Sequence, residues 1–221
     1  MSPRKSQRRS GARQLRDEFL NVPNMLTMMR IAAIPFVMLL LELSRLPAEA
    51  SDRQVYVSHL YCFWAAVVFG LAAGTDWLDG WLARNMGWTS LIGKLLDPLA
   101  DKLIVMAALV TLVALERSPA WLVVLLLARE IGISGLRSLA SSEGLIIDVV
   151  QTGKWKTAFQ LVGIIGLLMH YTYPIDFLFI RFEVNFHVVG LTLVGISMAF
   201  SLLSAFSYFR SFLRAIAARY R

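Results

Sequence analysis

Four aspartates stand out by type and spacing between Asp76 and Asp101. Asp76 and Asp79 are three residues apart, and Asp97 and Asp101 are four apart. On a helix each pair shares a face. Gly80 and Ala83 lie on or beside the first stripe, and Gly93 begins the second, one turn ahead of Asp97. Both flanks are strongly apolar, and carboxylates beside lipid are costly unless a positive charge compensates them. Four carboxylates packed together cannot all stay ionised without a cation. All-oxygen ligation, without His or Cys, favours Mg²⁺ or Mn²⁺ over zinc. Two such ions bridged by shared carboxylates suit phosphoryl-type transfer, where they neutralise the oxygens of the reacting group. Gly80, Ala83 and Gly93 would let a nucleotide or diphosphate approach the backbone, and Arg84 can neutralise phosphate charge. Three other readings compete. In the first, the aspartates pair with Arg84, Lys94 and Lys102 in a solvated interfacial loop. That accounts for a single aspartate better than for two stripes with small residues between them. The second is an ion pathway in a transporter. The third is an aspartate-rich prenyltransferase, whose carboxylates are spaced differently.

The elements that position these residues are apolar. The chain has 221 residues, 57% of them hydrophobic, with mean hydropathy +0.61 and net charge +7. Such a composition fits a polytopic membrane protein and excludes an ordinary soluble domain. A single cysteine, Cys62, excludes an intrachain disulfide and a cysteine-based metal cluster. His59, His170 and His187 form no ligand spacing. The apolar runs predict an all-α fold of six transmembrane helices, at about 27–43, 55–85, 91–115, 119–139, 155–171 and 186–212. The second is longer than a ~30 Å hydrocarbon core requires, so its end, with Asp76, Asp79 and Arg84, projects from the bilayer. Asn24 or Thr27 is placed to cap the first helix, Arg30 to snorkel or face the interior, and Pro35 to kink it. Residues 172–185 read as a loop with aromatic residues suited to the interface.

Residues 1–20 form a basic arm carrying six Lys and Arg, and residues 21–221 form the membrane domain. An interfacial helix is expected around 12–22. A basic arm ahead of an apolar segment sets topology on anionic lipid, and no nucleic-acid role is assigned to it. Six spans place both termini on one side. With that side cytoplasmic, it holds eighteen of the 22 Lys and Arg, which agrees with the positive-inside rule. All four aspartates then fall on the cytoplasmic side, and all three histidines on the other.

The pattern Asp76-x-x-Asp79-Gly80-x-x-Ala83-Arg84, eight residues, then Gly93-x-x-x-Asp97-x-x-x-Asp101 resembles the signature of the CDP-alcohol phosphotransferases at every position. The resemblance implies that an acceptor hydroxyl attacks a phosphorus of a CDP-linked diphosphate, and CMP leaves. It implies that Asp76, Asp79, Asp97 and Asp101 hold two divalent ions, with Asp101 also the base for the acceptor hydroxyl. It implies that Asp79, Gly80, Ala83, Arg84 and Gly93 contact the CDP moiety; cytidine itself comes from the resemblance alone.

Three further segments resemble the bacterial phosphatidylglycerophosphate synthases of that family. They are Asn21 to Thr27 with Arg30, Ala128 to Ile131 with Ser134 to Arg137, and Gly153 to Thr157 with Gln160. This implies CDP-diacylglycerol as donor and glycerol 3-phosphate as acceptor, in a homodimer in the bacterial inner membrane with a cytoplasmic active site. A phosphorylated acceptor needs cations, and Arg129, Arg137, Lys154 and Lys156 all fall on the active-site side. Asn24, Thr27 and Arg30 are accessory candidates. Gly190, Gly195 and Ser197 are small residues able to support close packing between helices of two copies.

Overall fold

A computed structural model describes residues 22–86, 91–145, 152–177 and 180–219. Side chains are described at 24–75, 96, 99–145, 155–174 and 183–217. The basic arm and the expected interfacial helix lie outside this range. The element order is α1 (Val22–Leu43), α2 (Asp52–Met86), α3 (Leu91–Ala114), α4 (Ala120–Ser142), α5 (Thr152–Met169), β1 (Thr172–Phe177), β2 (Ile180–Asn185) and α6 (Phe186–Arg219). α1 packs on α2 and α3, while α5 packs on α6 and α2, and α4 packs on α6.

Three stretches among the described residues are long and apolar enough to cross a membrane: Asn24–Leu43, Asp52–Thr75 and Phe186–Ala217. Trp155–Met169 is a shorter apolar helix. Polarity is inverted relative to a soluble protein. Large apolar side chains such as Trp64, Leu71, Trp121 and Phe206 face outward, whereas Asn24, Thr27, Arg30, Lys156, Ser197 and Ser201 are buried. Lipid solvates the apolar exterior, so the interior can hold the polar groups that catalysis needs. The apolar core lies between helices, with Leu41, Phe69, Ile104, Leu109, Ile164 and Leu168 fully buried.

Two expectations are corrected. Within the expected loop, residues 172–177 and 180–185 form a pair of antiparallel strands, with Thr172 opposite Asn185 and Phe177 opposite Ile180. The strands read Thr-Tyr-Pro-Ile-Asp-Phe and Ile-Arg-Phe-Glu-Val-Asn, rich in β-branched and aromatic residues. In sequence, Leu178 and Phe179 between the strands include none of the Gly, Asn or Asp that announces a hairpin. Asn24 and Thr27 do not cap α1. The helix already runs from Val22, and both side chains sit on its buried face with Arg30, Val37 and Leu41.

At the end of the bundle away from the aspartates, α1, α3 and α5 finish together at Leu43, Ala114 and Met169. Arg117 is buried among them. It donates to Leu168 O at 3.4 Å, to Ser44 Oγ at 3.1 Å and to Cys62 Sγ at 3.3 Å. Each helix C-terminus carries about half a negative charge, so gathered helix ends compensate this cation where a carboxylate would otherwise be needed. The three histidines lie at the same end. His59 stacks on Tyr171 with centroids 3.7 Å apart, and the Nδ1 atoms of His170 and His187 are 3.2 Å apart.

α5 and α6 meet backbone to backbone. A Cβ on Gly190 would lie 2.5 Å from Leu167 N, and one on Gly166 would lie 2.8 Å from Gly190 Cα. Ser197 donates to Lys156 O at 2.9 Å. Gly190 and Ser197 thus serve packing within the chain, whereas a Cβ on Gly195 would meet nothing within 4 Å. Gly190→Ala forces the two helices apart, because the obstructing atoms are backbone. It is expected to cost about 3 kcal/mol, at the upper end for overpacking. Gly195→Ala is expected to stay within about 0.5 kcal/mol of wild type. Thermal unfolding in detergent compares the two, and equal melting temperatures would refute this account.

Candidate active site

The aspartate-bearing segments are helical. Asp76 and Asp79 lie on α2, and Asp97 and Asp101 on α3. From Asp52 to Thr75 α2 rises about 36 Å, so Asp76 follows a stretch long enough to cross a ~30 Å hydrocarbon core. The side chains of Asp76, Asp79, Gly80, Ala83, Arg84, Gly93, Asp97 and Lys154 lie outside the described residues.

Arg30 points inward rather than snorkelling. Its Nε donates to Ala72 O at 3.1 Å and a terminal nitrogen donates to Thr75 Oγ1 at 3.2 Å. Thr75 Oγ1 in turn donates to Ala72 O at 2.7 Å. α1 therefore grips α2 through the turn that immediately precedes Asp76. That explains why a polar stripe interrupts the apolar face of α1.

Helical rise places several charged groups at one level. Arg30, Asp101 and Lys156 each stand thirteen residues, about 20 Å, from the helix end near Arg117. Glu130 is about 15 Å and Ser201 about 22 Å from the same side. The result is a polar layer recessed inside the bundle.

Asp101 opens into a cavity in that layer. Its polar lining includes Asp101 and Lys102 from α3, Glu130 from α4, and Lys156, Thr157 and Gln160 from α5. Its apolar side is made by Val105, Met106, Leu127 and Leu161, among others. Two cations and two carboxylates thus share one cavity. Lys156, buried, pairs with Glu130 Oε2. The same oxygen accepts from Arg129 at 3.2 Å. Lys102 donates to Ser134 Oγ, which donates to Glu130 O at 2.7 Å.

Of the four cations expected to hold an acceptor phosphate, Lys156 lines this cavity. Arg129 is turned toward α6, where its Nε donates to Ser201 O at 2.9 Å. The exposed Arg137 lies 6.0 Å from the ring centroid of Tyr208, also on α6. Lys102, Glu130, Thr157 and Gln160 are given no site role by the sequence reading, although the last three stand in the segments that carry the resemblance. The available signal was a charged or amide side chain about 15–20 Å along an otherwise apolar helix.

Among the described residues no three His, Cys, Asp or Glu side chains cluster to hold a metal. The aspartate side chains outside that range include three of the four in the motif. Asp101, part-buried and open to the cavity, is an oxygen donor of the kind a hard divalent cation takes.

The sequence model of the CDP-alcohol phosphatidyltransferase family matches residues 20–208. A Bacillus subtilis (strain 168) protein named CDP-diacylglycerol–glycerol-3-phosphate 3-phosphatidyltransferase is 36% identical over 193 residues, covering 86% of this chain and 93% of its own. A protein of the same name from Wigglesworthia glossinidia brevipalpis is 32% identical over 195 residues, with the same coverage of each chain. One from Haemophilus influenzae is 38% identical over 156 residues, covering 68% of this chain and 77% of its own. With the family match spanning most of its length and both halves of the aspartate motif on its helices, the chain belongs to the CDP-alcohol phosphatidyltransferase family.

Proposed function

We propose that the protein transfers the phosphatidyl group of CDP-diacylglycerol to glycerol 3-phosphate, giving phosphatidylglycerophosphate and CMP. The observation that carries this reading is the recessed cavity lined by both Asp101 and Lys156, a general-base candidate and a cation for a phosphorylated acceptor. The names of the relatives agree with it.

In this reading Asp101 accepts the proton of the acceptor's primary hydroxyl. That oxygen attacks the phosphorus bearing the diacylglycerol. A new P–O bond forms, the P–O bond to CMP breaks, and CMP leaves with the electron pair. Asp76, Asp79, Asp97 and Asp101 would hold two divalent cations, Mg²⁺ or Mn²⁺, whose chemistry when bound is to neutralise diphosphate charge. Asp79, Gly80, Ala83, Arg84 and Gly93 would hold the CDP moiety. Lys154, at the start of α5, would meet the acceptor phosphate together with Lys156, and that helix N-terminus favours an anion. Arg129 would contribute through Glu130, and Arg137 from the rim. Asn24, Thr27 and Arg30 would brace the α2 segment that carries the first two aspartates.

The chain is further proposed to cross a bacterial inner membrane six times, with both termini and the aspartates cytoplasmic, and to work as a homodimer. A lipid donor enters such a site from the bilayer and a soluble acceptor from the cytoplasm.

Purified protein in detergent tests the reaction. With CDP-diacylglycerol, Mg²⁺ and glycerol 3-phosphate, CMP release is expected, and EDTA is expected to reduce it to background. Release only with inositol phosphate or phosphatidylglycerol as acceptor would move the enzyme elsewhere in the family. Ion flux in vesicles without CMP release would replace the enzyme reading with a transporter.

A further inference from the structure

Gln160 is not accounted for by the mechanism above. It sits on α5 between Phe159 and Leu161, in a helix whose inward face is otherwise apolar beyond Thr157. It lines the cavity that Asp101 opens into. Its side-chain amide has no hydrogen-bond partner among the described residues. Gln160 is half-buried, and its amide offers two donors and an acceptor to whatever fills the cavity. Water or a ligand in the cavity can meet them.

The position narrows the ligand. Gln160 is four residues after Lys156, so the two share a face of α5 and stand one helical turn, about 5.4 Å, apart. Lys156 is on the side of the helix start, where an anion is favoured. Gln160 is one turn deeper, next to the apolar Met106, Leu127 and Leu161. Asp101, the proposed base for the acceptor hydroxyl, and Lys156, the proposed partner of its phosphate, line the same cavity as Gln160. In that reading the molecule that reaches Gln160 is the acceptor. Its phosphate end faces Lys156, and an uncharged, hydrogen-bonding part faces the amide. A charged group there would have no compensating partner on the apolar side.

We propose that Gln160 is a specificity residue that hydrogen-bonds the acceptor's non-reacting hydroxyl, so that the cavity selects a phosphorylated polyol over a phosphorylated simple alcohol. This deepens the proposed reaction and rests on it. A site built to hydrogen-bond a hydroxyl discriminates against the analogue that lacks it, because its own polar group is then left unpaired. Glu130 assists from α4, with Oε2 occupied by Lys156 and Arg129.

The test compares glycerol 3-phosphate with 3-hydroxypropyl phosphate, which keeps the attacking hydroxyl and the phosphate but lacks the middle hydroxyl. CMP release from CDP-diacylglycerol with Mg²⁺ gives kcat/KM for each acceptor. Wild type is expected to favour glycerol 3-phosphate by about tenfold or more. Gln160→Met, which keeps length and removes the polar atoms, is expected to bring that ratio to within about threefold. Gln160→Glu, which keeps an acceptor atom, is expected to retain part of the preference. If Gln160→Met does not fold, Gln160→Ala is judged by the same ratio. A ratio unchanged in the variant, or no preference in wild type, overturns the proposal. Wild-type protein that releases CMP with neither acceptor overturns the underlying reaction instead.

Discussion

Asp101→Asn is expected to leave a folded protein whose CMP release falls at least about a thousandfold, within the range for losing a general base. Asn keeps the size and shape of the side chain but cannot take the acceptor proton. Asp101 is only part-buried and opens into the cavity, so the change removes a charge without creating a void. The loss of negative charge also weakens the proposed cation site. Mg²⁺ is therefore expected to raise the melting temperature of wild type more than that of the variant, because a ligand stabilises the state that binds it. The two readouts separate base from metal ligand. Lost activity with an unchanged Mg²⁺ effect would leave Asp101 as base alone. Near-normal CMP release would remove it from the chemistry.

The second large effect is expected at Lys156, whose ammonium is buried against Glu130. Lys156→Met is expected to raise the KM for glycerol 3-phosphate by about a hundredfold, the scale of a lost charged hydrogen bond. The KM for CDP-diacylglycerol is expected to change much less. Folding stability is also expected to fall, by about 2 kcal/mol, less than the full cost of breaking a buried pair. The discount has two causes. Arg129 stays within 3.2 Å of the stranded carboxylate, and the Glu130 side chain is 32% exposed. Glu130→Gln is expected to cost about 3 kcal/mol, because two cations then face each other without a carboxylate. The double variant is expected to be more stable than the sum of the singles implies, the usual result for residues in contact. It is not expected to recover the KM for glycerol 3-phosphate. If stability and acceptor KM recover together, Lys156 is a structural ion pair and the acceptor phosphate is held elsewhere.

The two predictions draw on different sources. Asp101 is identified by spacing, because a divalent-metal motif on paired helices needs carboxylates at fixed helical intervals, and intervals are visible in a sequence. Lys156 has no such regularity. In sequence it is one of several cations near the ends of apolar runs, together with Arg129, Arg137 and Lys154. The fold separates them. Lys156 turns into the cavity, Arg129 reaches the carbonyl of Ser201, and Arg137 lies near Tyr208. Both arginine orientations depend on α6, more than fifty residues later in the chain, and no local pattern announces that packing. Gln160 stands in a segment that carries the family resemblance, but its place in the cavity was not legible, for the same reason. A polar residue in an apolar helix is legible, but whether it meets a partner or an opening depends on the helices across from it.

The hairpin shows the limit from the other direction. Its strands have the residue types of strands, but the sequence between them lacks the usual Gly, Asn or Asp, and its short length is easily absorbed into a loop. Arg117 is a further case. In sequence it is an ordinary loop arginine after an apolar helix. In the fold it is a buried cation among the ends of α1, α3 and α5. Helix ends become an electrostatic partner only when they converge.

By itself the sequence determined a helical membrane protein, the aspartate motif and the polarity of its two ends. Those properties rest on composition, helical period and the cost of charge in lipid, all of which act locally along the chain. The tertiary structure decided which of the many cations shares a cavity with Asp101. It also decided which glycines are consumed in packing α5 on α6. These depend on which helix faces are brought together, and that is settled by the packing of residues far apart in the chain.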